Sequence, residues 1–132
     1  LQSLKEGQSI SLPQYDFKEH VREERTVLVE PKKIIVVEGI LLFAVPELRE
    51  LFDLKLFVET DDDVRLLRRI GRDMKERART FESIREQYLT TGKPMHALYV
   101  APSRAWADVI LPMGTENPAA LGMVIARLRE HL

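Results

Sequence analysis

The apolar positions of this chain fall into short β-type runs separated by longer stretches of helical spacing. Ile34-Ile35-Val36-Val37 is an unbroken β-branched run, the composition of a strand buried on both faces of a parallel sheet. Ser9-Ile10-Ser11-Leu12 alternates ahead of Pro13 and predicts a short strand; residues 26–29 predict a second. The polar stretch 14–25 between them holds Tyr15, Phe17 and His20. It reads as the long functional tip of an antiparallel β-excursion. Residues 54–58 and 108–111 predict two further strands. Pro46 opens a short helix through Phe52. Glu59-Thr60-Asp61-Asp62 caps a helix from near Asp63 to about Arg77, with Val64, Leu67, Ile70 and Met74 at helical spacing. Two more helices are predicted at about 81–88 and 94–99. Asn117-Pro118 is an N-cap and first-turn proline for a last helix, whose buried face is Leu121, Val124, Ile125 and Leu128. Leu1 to Gly7 reads as a helix end closed by Gly7. Strands alternating with helices predict an α/β fold with a parallel sheet.

Composition narrows the class without choosing a function. The 132 residues are 45% hydrophobic and 31% charged, enough for a packed core under a solvated surface. A net charge of −1 gives no global attraction to nucleic acid or to an anionic membrane. With no cysteine the chain forms no disulfide and no thiolate metal site. No apolar run approaches a membrane span.

Chemistry enters at four places. Glu38-Gly39 follows the run 34–37, and ligands in open α/β sheets bind beyond the carboxyl ends of strands. A carboxylate there suits Mg²⁺, directly or through water; the plainer reading is a strand-end Glu paired with a surface Lys. Arg65, Arg68, Arg69 and Arg72 share one helical stripe that Arg77 and Arg79 extend, six arginines within fifteen residues. Such forks neutralise phosphate and stabilise charge in phosphoryl transfer. The plainer reading is a salt-bridged surface helix, with Arg69–Asp73 and Arg72–Glu76 as i, i+4 pairs worth roughly 0.2–0.5 kcal/mol each. Tyr15, Phe17 and His20 suit stacking on a base and bonding to its polar edge, or else a small cluster that pins the hairpin. Gly114-Thr115-Glu116-Asn117-Pro118 could hold a ligand at a helix N-terminus, or simply turn the chain into the last helix. His96 and His131 show no partner pattern. The sequence contains no Gly-x-x-x-x-Gly-Lys-Ser/Thr phosphate loop.

Several motifs match one family in order and spacing: Pro13-Gln14-Tyr15-Asp16-Phe17-Lys18-Glu19-His20, Val37-Glu38-Gly39-Ile40-Leu41, Lys55-Leu56-Phe57-Val58-Glu59-Thr60-Asp61, Arg68-Arg69-Ile70-Gly71-Arg72-Asp73-Met74-Lys75-Glu76-Arg77, Gln87-Tyr88, Lys93-Pro94 and Trp106-Ala107-Asp108-Val109-Ile110-Leu111-Pro112. Over nearly its whole length the chain resembles the uridine kinases (uridine–cytidine kinases) of the P-loop nucleoside kinase group. The resemblance implies a P-loop NTPase-like parallel sheet flanked by helices, with a nucleoside-binding hairpin at 9–29 and a helical lid at 61–92, in a single partial domain over 1–132. The phosphate loop and the Asp base of the family would precede the region seen here, so the N-terminal third of the fold is expected to be absent.

The resemblance further implies transfer of the γ-phosphoryl of ATP or GTP to the 5′-hydroxyl of uridine or cytidine. Tyr15, His20, Arg69, Arg79 and Gln87 would contact the nucleoside and Phe17 would pack on its base. Arg72 and Arg77 would reach the ATP phosphates, Glu38 would serve Mg²⁺, and Glu116 would lie near adenine. A cytoplasmic homo-oligomer, a tetramer by family, is implied, with no nucleic-acid or membrane partner. The alternative is a degenerate, non-catalytic nucleotide-binding or oligomerisation module. Phosphoribulokinase shares the P-loop group, and the Tyr15-Asp16-Phe17…His20 hairpin favours a pyrimidine nucleoside over its sugar phosphate. Ala78 stands where the family usually carries glycine, Ala97 and Ala101 where it is commonly acidic, and Met113 where it is usually charged. A positive φ at residue 78 would make alanine costly there.

Overall fold

The computed structural model describes residues 1–16, 21–113 and 116–132. It is mixed α/β and divides into two compact units, Leu1–Val37 with Leu128–Leu132, and Glu38–Arg127.

The first unit opens with α1 (Gln2–Lys5). Gly7 ends it at φ 80°, the left-handed conformation glycine adopts without penalty. The Gln8 N–H donates to the Ser3 carbonyl at 2.8 Å and the Gly7 N–H to that of Leu4 at 3.1 Å, the double bond of a Schellman termination. Strands β1 (Ile10–Asp16) and β2 (Val21–Val29) form the expected antiparallel hairpin. Cross-strand neighbours include Ile10 with Val29 and Leu12 with Val27. The register shifts between Pro13 and Tyr15, at the point where proline, lacking an N–H, interrupts a ladder. Both strands run further toward the tip than their alternation indicated. Phe17 and His20 lie outside the described residues.

Ile34-Ile35-Val36-Val37 is not a strand. Among the described residues no segment pairs with it, and Val36 is 81% exposed. β-branched composition states which environment a segment suits; the ladder itself needs a neighbour to match each N–H and C=O.

In the second unit a 3₁₀ turn (Leu42–Ala44) leads to α2 (Pro46–Arg49), which is shorter than expected. Strands β3 (Leu56–Glu59) and β4 (Val109–Pro112) pair in parallel, Leu56 beside Val109 through Glu59 beside Pro112. A parallel pair needs a long crossover, here a helical one. It begins with α3 (Asp62–Glu76), with Asp61 at its N-cap position and Asp62 and Asp63 in its first turn, where acidic groups complement the helix dipole. Helix α4 (Phe81–Gln87) is capped by Thr80, whose Oγ1 accepts from the Ser83 N–H at 3.2 Å.

The chain stays helical through 88–106, alternating π turns (Tyr88–Gly92, His96–Val100) with single α turns (Lys93–Met95, Ala101–Ser103). Pro94 and Pro102 each remove a backbone donor from this run. The last helix, α5 (Pro118–Arg129), starts as expected, and the Ala120 N–H donates to Asn117 Oδ1 at 3.1 Å.

Among the described residues of the second unit, Ile84 and Leu111 are the buried apolar side chains. The expected apolar face of α3 is only partly covered: Val64 and Ile70 are half-buried, whereas Leu67 is 69% exposed and Met74 is also exposed. The one fully buried position of the helix among the described residues is the ion-paired Asp73. On α5, Leu121, Val124 and Leu128 are half-buried but Ile125 is exposed.

Candidate nucleoside and phosphate site

Asp73 organises the richest cluster of functional groups. Its side chain is 1% exposed, on the inward stripe of α3. Oδ1 accepts from Arg72 Nε at 3.1 Å and from Arg77 Nη1 at 3.2 Å. Oδ2 lies 3.6 Å from Arg69 Nε and 3.9 Å from Arg79 Nη1. A buried carboxylate is tolerated only when paired, and here the pairing is fourfold.

Gln87, at the end of α4, joins the same cluster. Its Oε1 accepts from Arg69 Nη2 at 2.7 Å and from Arg79 Nη1 at 2.5 Å. Arg79 also donates to Ser83 Oγ at 3.0 Å. Gly92 makes room for this arrangement, since a Cβ there would sit 2.7 Å from Arg69 Nη1. The turn carrying Arg77 and Arg79 passes through Ala78 at φ 50°, and the Arg79 N–H returns to the Asp73 carbonyl at 3.2 Å. Residue 78 thus meets the condition under which alanine is costly.

The arginine stripe is split among partners. Arg65 pairs with Asp62 and touches His96 Nε2. Arg68 pairs with Glu116. Arg72 bonds Asp73 rather than the anticipated Glu76. His96 has its pKa lowered, first by burial and then by the Arg65 charge. Asp108 is held below the usual carboxylate range by hydrogen bonds from Lys55, whose side chain and backbone N–H donate at 3.0 and 2.8 Å.

A hollow of about 140 Å³ opens at the carboxyl ends of β3 and β4, lined by Asp61, Arg68, Met113 and Glu116 among others, the edge where open α/β sheets receive ligands. A second hollow of about 150 Å³ lies beside Phe43, Tyr99 and Trp106, and the Arg49 guanidinium stacks 3.8 Å over the Trp106 ring.

The structure therefore brings Arg69, Arg79 and Gln87 into one hydrogen-bonded group and adds Arg72 and Arg77 through Asp73. Tyr15 is exposed on the hairpin of the first unit, and Glu38 is exposed at the start of the second. Sequence reasoning saw Asp73 only as a surface partner of Arg69, and Gly92 not at all. The available signal for Asp73 was its place one, four and four residues from Arg72, Arg69 and Arg77.

An α/β chain that gathers arginines around one helix and places a hollow at its parallel strand ends has the parts of a phosphate- or nucleotide-handling protein. The model of the phosphoribulokinase/uridine kinase family matches residues 1–120, and the chain belongs to that family. It is 46% identical to a uridine kinase of Clostridium novyi (strain NT), over all of this chain and 64% of the relative. The identity is 48% to a uridine kinase of Clostridium perfringens (strain 13 / Type A), again over all of this chain and 64% of the relative. A uridine kinase of Chloroflexus aurantiacus (strain ATCC 29366 / DSM 635 / J-10-fl) is 49% identical over all of this chain and 63% of its own length. The chain thus spans a little under two thirds of these curated relatives. Among the described residues no helix is long and apolar enough to cross a membrane.

Proposed function

We propose that this chain is the nucleoside- and lid-bearing part of a uridine/cytidine kinase that moves the γ-phosphoryl of ATP or GTP to the nucleoside 5′-hydroxyl. The observation that carries the reading is the meeting of Arg69, Arg79 and Gln87 in one group that Asp73 ties to Arg72 and Arg77. Family membership supports it. In this reading the 9–29 hairpin supplies Tyr15, Phe17 and His20 to the nucleoside, and region 61–92 is the lid.

The contacts support a division of labour. Gln87 gives its Oε1 to two arginines, so that the amide's remaining hydrogen-bonding capacity for a ligand is the donor pair on Nε2. Arg69, Arg79 and Gln87 then present donors to the acceptor-rich pyrimidine and ribose. Arg72 and Arg77 offer their remaining N–H groups to phosphate oxygens and stabilise the charge that spreads over them during transfer. Glu116 borders the hollow at the strand ends, where it would flank the donor base.

Mg²⁺ fits the donor chemistry in a limited way. Among the described residues no group of three His, Cys, Asp or Glu is placed to hold a metal. Mg²⁺ is commonly held by one or two carboxylates plus waters and phosphates, and exposed Glu38 is such a single donor. When bound, the ion would neutralise phosphate charge.

Titrating the isotope-labelled protein with uridine, cytidine and adenosine tests the reading. The two pyrimidines should shift the Gln87 amide and the Arg69 and Arg79 guanidinium resonances, and adenosine should not. A folded protein that ignores all three, or answers them equally, would refute it. The 132 residues alone should not phosphorylate uridine, because they contain no Gly-x-x-x-x-Gly-Lys-Ser/Thr loop. Turnover at rates ordinary for kinases, about 1–100 s⁻¹, would show that such a loop is dispensable.

A further inference from the structure

We propose that Asp73 is the positioning residue of the arginine cluster, the fixed counter-charge that sets four guanidiniums in their ligand-receiving orientation. What ligand they receive rests on the nucleoside-kinase reading above; the positioning role does not.

Burial is the first argument. The Asp73 side chain is 1% exposed, while those of Arg69, Arg72, Arg77 and Arg79 are 27, 49, 46 and 27% exposed. The carboxylate lies beneath the cluster and the guanidiniums fan outward from it. Each guanidinium carries five N–H donors in a rigid fork. Arg72 commits Nε and Arg77 commits Nη1 to Asp73, which fixes the plane of each fork and leaves its other donors for a ligand.

Charge is the second argument. One carboxylate faces four cations, so the cluster holds a surplus of three positive charges before a ligand arrives. Without Asp73, like charges within a few ångströms would repel and the long side chains would disperse. With it, they are held together yet undersatisfied, a state suited to phosphate and carbonyl oxygens.

The backbone is the third argument. The Asp73 carbonyl accepts from the Arg79 N–H at 3.2 Å while its carboxylate faces the Arg79 guanidinium. One residue thus sets both the path of the 77–79 turn and the direction of the side chains that leave it. Fixing donors in advance, so that they need not reorganise around the ligand, is how such groups gain effect.

The test compares Asp73→Asn with the wild-type chain. Arginine side-chain ¹⁵N spectra report the cluster without ligand, and calorimetric titration with uridine reports its use. In the wild type, the Arg72 Nε–H and Arg77 Nη1–H signals should be resolved and protected from exchange. In Asp73→Asn they should collapse toward free arginine, and uridine affinity should fall at least tenfold, with hairpin resonances unchanged. If Asp73→Asn does not fold, Asp73→Glu decides: it keeps the charge but moves the carboxylate by one methylene. It should remain folded and bind uridine at least threefold more weakly. Unaltered arginine signals and uridine affinity within twofold of wild type, in either folded variant, would overturn the proposal. So would wild-type guanidiniums that exchange as freely as free arginine. If the wild type binds no uridine, the kinase reading fails, and the arginine spectra alone judge Asp73.

Discussion

Replacing Ala78 with glycine should stabilise this protein, against the usual direction for alanine-to-glycine changes. Ala78 sits at φ 50° between Arg77 and Arg79, in the turn that ends α3. An L-residue in the left-handed region loses roughly 1–2 kcal/mol to the approach of Cβ to the following carbonyl. Glycine escapes that cost but adds unfolded-state entropy worth about 0.4–1 kcal/mol. The difference lies between about 0 and 1.6 kcal/mol, and its central value is a net gain of about 0.8 kcal/mol. Unfolding entropy near 2.1 cal/mol/K per residue converts that gain into a rise of about 2–4 °C in Tm for a chain of this length.

The assay is thermal melting followed by circular dichroism, with urea titration to show an unchanged m-value and a higher midpoint. Ala78→Val provides the opposite control, because a β-branched residue is a worse occupant of positive φ. An Ala78→Gly protein that melts at or below the wild type would refute the reasoning. It would mean that the turn is not held at positive φ by the Arg79-to-Asp73 bond, or that the denatured-state term outweighs the strain.

Gly92→Ala would bring a Cβ to 2.7 Å from Arg69 Nη1 and displace that side chain; uridine titration should show weaker binding, and unchanged affinity would separate Gly92 from the site. The lowered pKa of His96 means that its neutral form is favoured by folding. Its contribution should be complete above the ordinary histidine value near 6.5 and shrink as pH falls through the lowered folded-state value; melts of wild type and His96→Gln from pH 8 to 5 that stay parallel would contradict this. The lowered pKa of Asp108 predicts stability that is present above about 3.9 and lost as acid protonates the carboxylate that Lys55 holds. Asp108→Asn should flatten that acid limb, and an Asp108 carboxyl resonance titrating at or above the ordinary aspartate value would refute it.

The sequence by itself determined the local elements whose causes are local. The Gly7 stop, the hairpin flanks, the Asn117 helix start and two strands expected at 54–58 and 108–111, found at 56–59 and 109–112, follow from turn chemistry, capping and β-branched content. Its motifs also carried the family resemblance, which the match over residues 1–120 bears out. The tertiary structure alone decided three things. It left 34–37 without a ladder, because pairing depends on neighbours and not on composition. It left Leu67 and Met74 of α3 exposed and buried Asp73, because four guanidiniums compensate the buried carboxylate. It also chose Asp73 over Glu76 for Arg72 and joined Arg69 to Gln87 across eighteen positions of chain. Helical spacing shows which residues share a face, but the neighbours against which that face packs determine which charges meet and what they can hold.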